Sequence, residues 1–162
     1  MTKKVAYGGV FLALALVASY LETLIPIHLG IPGVKLGLAN GVIMVLLYVA
    51  DVKETYAISL ARILLAGFMF GNLMMILYSL AGGMLSLTLM VILKKIGGFS
   101  SVGVSVAGGV AHNIGQLLVA ALVLETGKMF FYLPVLLVSG TFAGVLIGIL
   151  SGEIVKRIPK NG

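Results

Sequence analysis

Apolar residues dominate the chain in long runs separated by short polar breaks, and the breaks divide it into six segments. The segments run from Val5 to Leu24, Leu36 to Ala50, Thr55 to Phe70, Asn72 to Leu93, Val102 to Leu124 and Tyr132 to Ile154. A hydrocarbon core of roughly 30 Å takes about 20 residues of helix. The second segment is short and needs tilt or flanking residues to cross, and the third and fourth nearly touch at Phe70-Gly71-Asn72. The pattern predicts an all-α fold, a polytopic membrane protein built as a bundle of six transmembrane helices in one domain over residues 1–162. The first segment has no polar small-residue cleavage site and is followed by further apolar segments, so it reads as a span rather than a signal peptide.

Composition turns this pattern into a membrane assignment. Hydrophobic residues make up 60% of the chain, charged residues 10%, and the mean hydropathy is +1.20, which leaves too little polar side chain to cover a soluble domain. The absence of cysteine excludes disulfides, thiolate metal sites, iron–sulfur ligation and a cysteine nucleophile. A net charge of +6 would suit nucleic acid, but the basic residues stand at segment ends, so nucleic-acid binding is not expected. With the N terminus inside, eight basic residues (Lys3, Lys4, Lys53, Lys94, Lys95, Lys156, Arg157, Lys160) face the cytoplasm and two, Lys35 and Lys128, face out. Basic residues are retained on the cytoplasmic side, so both termini are expected there. The outer side then carries one long connection, Ile25 to Lys35, whose Pro26, Gly30, Pro32 and Gly33 prevent a continuous helix and suit a lid.

Against this apolar background a few polar residues stand out. Arg62 lies seven residues into the third segment, about 10 Å along a helix, and His112 lies about 15 Å into the fifth. Ionisable side chains at membrane depth cost a few kcal/mol each by insertion scales, roughly 3 for arginine, and by default mark a substrate or ion path. Ser101, Ser105, His112 and Gln116 share one face of the fifth helix with Gly108 and Gly109. Asn113 adjoins it. The bland alternatives are that Arg62 snorkels to headgroups or bonds helix carbonyls, and that His112 bridges two helices. Gly8, Gly9, Gly82, Gly83, Gly108, Gly109, Gly144 and Gly148 read as helix contact points, and Ser79, Ser86, Thr88 and Thr141 as hydroxyls bonded to their own helix.

The five acids, Glu22, Asp51, Glu54, Glu125 and Glu153, all lie toward segment ends or in loops, so Arg62 is expected to lack a carboxylate at its own depth. Its fork of donors would then favour an anionic ligand, drawn in by Lys35 at the mouth. No phosphate-binding G-x-x-x-x-G-K-[ST] loop is present, so energy for pumping would have to come from elsewhere. A polyprenyl diphosphate synthase needs clustered aspartates to hold magnesium, whereas Asp51 is the single aspartate. Haem bridging fails because His28 is in the outer connection and His112 is buried, and no metal site or cofactor is expected.

The strings Pro32-Gly33-Val34-Lys35-Leu36-Gly37-Leu38-Ala39-Asn40, Arg62, Phe70-Gly71-Asn72, Ser79 to Leu87, Phe99-Ser100, Gly103-Val104-Ser105 and His112-Asn113-Ile114-Gly115-Gln116 resemble the Gx transporter family, also called heptaprenyl diphosphate synthase component I. In size and layout that family is similar to the substrate-binding S-components of energy-coupling factor importers. The resemblance implies a pocket reached from outside and capped by the first outer loop, with small residues of helix one docking on a transmembrane scaffold served by cytoplasmic ATPases. Gly9 and Ala13, and also Ala15 and Ser19, have the spacing for such docking. Carried over, the binding residues are Lys35, Asn40, Arg62, Asn72, His112, Asn113 and Gln116. Tyr20, Phe68, Phe70, Tyr78, Phe130, Phe131 and Tyr132 are aromatic candidates for contacts, the blander account of the last three being an interfacial belt. The expectation is a non-catalytic, multi-pass subunit of the bacterial cytoplasmic membrane that captures a small anionic or polar organic solute. The alternatives are a subunit holding an isoprenoid or quinone-type lipid for a partner enzyme, and a structural scaffold.

Overall fold

Helix ends in this chain are set by a few glycine and polar positions between uninterrupted apolar runs. The computed structural model describes residues 2–24 and 37–158. The outer connection with His28 and Lys35 lies outside the described residues, as does Lys160. The helices are α1 (Thr2–Leu24), α2 (Leu38–Val49), α3 (Val52–Phe70), α4 (Leu73–Ile96), α5 (Ser101–Val123) and α6 (Leu133–Arg157), with a 3-10 turn over Gly127–Tyr132 before α6. Asn72 caps α4 by accepting from the Met75 N–H at 2.9 Å, and Ser100 caps α5 by accepting from the Gly103 N–H at 3.1 Å. Gly97 and Gly98, at φ 77° and 78°, make the left-handed turn that separates α4 from α5.

Four helices, α1, α4, α5 and α6 with its preceding turn, are long and apolar enough to cross a membrane. The second segment is short, as its sequence indicates: α2 has 12 residues and reaches roughly 18 Å, less than the hydrocarbon thickness by itself. It lies in the interior of the bundle, with Ala39, Ile43, Met44, Val45, Leu46 and Leu47 all buried. Among the described residues the fold is all-helical.

The helices close into a ring. α1 packs on α2 and α3, α2 on α6, α6 on α5, α5 on α4, and α4 on α3. Glycines bring α5 against its neighbours: a methyl on Gly109 would stand 2.5 Å from the Gly140 carbonyl oxygen, and one on Gly115 would stand 2.8 Å from that of Ala81. Such close backbone approach is how membrane helices associate where apolar burial gives no preference. Gly9 departs from this expectation, because nothing lies within 4 Å of the place its Cβ would take. Lys94 at the end of α4 donates to the Leu47 carbonyl at the end of α2 and lies 5.1 Å from the centre of the Tyr48 ring. That contact ties the basic end of α4 to the end of α2.

Polarity runs inside-out. Val10, Val17, Phe68, Leu122, Val138 and Leu150 point outward, while Ser59, Arg62, Ser105, His112, Asn113 and Gln116 are buried. An apolar exterior around polar side chains suits hydrocarbon outside and a cavity within.

Candidate functional site

Five helices contribute to a hollow of about 30 Å³ that begins where α1 ends and α2 starts, away from the basic helix ends. Ser19 and Glu22 enter from α1, Asn40 from α2, Arg62 from α3, Ser79 from α4, and His112 and Gln116 from α5. Arg62 is 7% exposed and Glu22 9%, so both charges are withdrawn from bulk solvent. Nη2 of Arg62 donates to Oδ1 of Asn40 at 3.3 Å, and Nε finds no hydrogen-bond partner among the described residues. The buried Ser19 hydroxyl likewise has none among them. A buried donor without a partner costs about 1–3 kcal/mol, more for a charged group, so this hollow is suited to water or a polar ligand.

Glu22 corrects the expectation that Arg62 has no carboxylate near its depth. One carboxylate oxygen accepts the N–H of Leu38 at 2.5 Å, tying the end of α1 to the start of α2, and the charge acts through space on Arg62. The demand for an anion is thereby removed, because the hollow already holds one charge of each sign. The signal for Glu22 was present in the sequence. Phe11, Ala15, Ser19 and Glu22 recur every three to four residues, which is one helical face, and all four are buried.

A second hollow of about 40 Å³ continues from the first between α2, α4, α5 and α6, sharing Gly37, Asn40 and His112 with it. Met44, Met90, Ala143 and Ile147 make its walls apolar, relieved by Ser86, Ser105 and Ser139. Close packing shapes it: the Cβ that Gly82 lacks would stand 2.7 Å from the His112 carbonyl oxygen and 3.0 Å from Nδ1, so α4 leaves His112 its place only because Gly82 has no side chain. With about 10–15 Å³ per water, each hollow has room for a few waters in the unliganded chain.

The structure brings together Asn40, Arg62, His112 and Gln116. Asn113 lines the apolar hollow, but its Nδ2 donates to the Leu136 carbonyl at 2.8 Å and to the Ser139 hydroxyl at 3.3 Å, which fastens α5 to α6. Asn72 is exposed and spends its side chain on the α4 cap, away from the lining of both hollows. Lys35 lies outside the described residues. Ser79, read from the sequence as bonded to its own helix, lines the charged hollow. None of the aromatic candidates lines either hollow; Tyr20 instead packs at a tilt against Phe70, with ring centres 5.1 Å apart. On α1 the two small-residue pairs separate: Ala15 and Ser19 face the interior, whereas Gly9 and Ala13 are exposed.

The family model for heptaprenyl diphosphate synthase component I matches residues 11–154. The chain belongs to that family. No curated protein and no solved structure matches it. The part shared with the heptaprenyl diphosphate synthase component I family includes every residue that lines the two hollows, from Ser19 to Ile147, and leaves out Gly9. The family thus covers the site together with the helices that build it.

Proposed function

We propose that this member of the heptaprenyl diphosphate synthase component I family is a non-catalytic, multi-pass membrane subunit that binds a small polar organic solute entering from the outer face. The observation that carries the reading is the convergence of Arg62, Glu22, Asn40, His112 and Gln116 on one hollow inside a bundle whose exterior is apolar. Asn and Gln amides both donate and accept, so together with the guanidinium they can read a ligand's polar edges. The charged hollow lies at the end of the bundle opposite the basic helix ends, which on the positive-inside rule is the outside of a bacterial cytoplasmic membrane. The exposed pair Gly9 and Ala13 is available for docking on a transmembrane scaffold, and ATPases on the cytoplasmic side would supply energy as in energy-coupling factor importers.

Native mass spectrometry of the protein released from lipid nanodiscs tests this, comparing the unaltered chain with Arg62→Ala and His112→Ala. The expected result is a retained small solute that both variants lose while helix content is unchanged. Retention of the same mass by both variants would overturn the reading.

The family description and the apolar walls of the second hollow favour one further reading, a subunit that presents an isoprenoid lipid to a partner enzyme. A copurified prenyl lipid in the same spectrum would establish it in place of the solute.

A further inference from the structure

The two hollows differ in chemistry and meet at His112 and Asn40. One presents a guanidinium and a carboxylate, each more than nine-tenths buried, with Arg62 donating to Asn40 and Glu22 accepting the Leu38 N–H. The other is walled by Met44, Met90, Ala143 and Ile147, side chains that adapt to a flexible aliphatic chain, and among the described residues no Phe or Tyr lines it, His112 at the neck being the one ring there. A solute that filled only the charged hollow would leave the apolar one wet. One with a single charge would add a net charge to a hollow whose Arg62 and Glu22 already balance, and in a dehydrated site an unmatched charge is costly.

We infer that the two hollows form one bipartite site for a compact aliphatic zwitterion, with a carboxylate held toward Arg62, an ammonium toward Glu22, and an unbranched or singly branched alkyl body against Met44, Met90 and Ile147. His112 and Asn40 stand at the neck between head and body. The inference rests on the solute-binding reading and names its substrate class. The size of the apolar hollow limits the body to a few carbons, which excludes a long prenyl chain from full burial there.

The test is thermal unfolding of the detergent-purified full chain with four probes at equal concentration: L-norleucine, glycine, hexanoate and hexylamine. L-norleucine is expected to raise the midpoint by about 3 °C or more and the other three by less than half as much, since a ligand that binds only the folded state raises its midpoint. Two further variants address the body of the ligand. Ala143→Leu, which fills the apolar hollow, is expected to abolish the L-norleucine shift while leaving the unliganded midpoint within a few degrees. Ile147→Ala, which widens it, is expected to move the preference to 2-aminooctanoate. A shift of equal size from hexanoate overturns the zwitterion, and one of equal size from glycine overturns the bipartite site. No shift from any probe overturns the inference as a whole. An Arg62-dependent shift from hexanoate would leave the solute-binding reading standing, whereas silence from every probe together with no solute in the native mass spectrum would remove both.

Discussion

Removing the charge of Glu22 without removing its hydrogen bond isolates the electrostatic role of this residue. In Glu22→Gln the side-chain carbonyl can still accept the Leu38 N–H, so the link from α1 to α2 is kept and only the negative charge is lost. Arg62, 7% exposed, then shares the hollow with no carboxylate among the described residues. Breaking a buried charge pair from one side costs about 3–5 kcal/mol, and the lower end, about 3 kcal/mol, applies here because the adjoining hollow of about 30 Å³ admits water. Arg62→Met strands the Glu22 carboxylate and is expected to cost a similar amount. In the double variant neither charge is buried, so its loss should fall short of the sum of the single losses by about 1–3 kcal/mol. Equilibrium unfolding in mixed micelles, with helix content as the signal, measures all four corners of the cycle. Losses that add to within about 0.5 kcal/mol would refute the coupling, and with it the charge-balanced hollow.

Four further outcomes follow from the packing, the caps and the Lys94 contact. Gly109→Ala places a methyl 2.5 Å from the Gly140 carbonyl oxygen, so α5 and α6 must part by at least about 0.5 Å, and unfolding should show a loss of about 1–3 kcal/mol. Gly9→Ala, with nothing within 4 Å, should leave the isolated chain unchanged or slightly more stable, and equal effects at the two glycines would contradict the helix contacts. Asn72→Ala removes the cap on α4 and should cost about 1 kcal/mol of stability with no change in ligand retention by native mass spectrometry. Lys94→Met removes the bond to the Leu47 carbonyl and the charge beside Tyr48, and should show as faster hydrogen exchange in the last turn of α2 with a loss of about 1 kcal/mol.

How much of the site could be read from the chain depended on whether one helix carried the signal. His112 and Gln116 lie on a single face of α5, so their shared direction follows from helical spacing, and both reach the charged hollow. Arg62 stands out because an arginine in an apolar run is costly. Counting residues places Glu22 at a span end, where it is, and only the fold shows that α2 begins beside it with the Leu38 N–H on its carboxylate. Asn113 carries as strong a polar signal as its neighbour, and only the position of the Leu136 carbonyl on α6 shows that its amide holds two helices together.

The sequence by itself determined that the chain is helical and built for a membrane, where its helices run to within a few residues, and that polar groups lie inside an apolar exterior. Those properties are local or periodic, set by hydropathy, caps and glycine turns. Tertiary structure decided that α2 is an interior helix, that α1 supplies a carboxylate to the arginine of α3, and which of two small-residue pairs on α1 faces outward. The physical reason is that each of these depends on how a helix is rotated against neighbours distant in sequence, and that rotation is fixed by close backbone contacts at glycine rather than by hydropathy, which in lipid gives little preference between one apolar face and another.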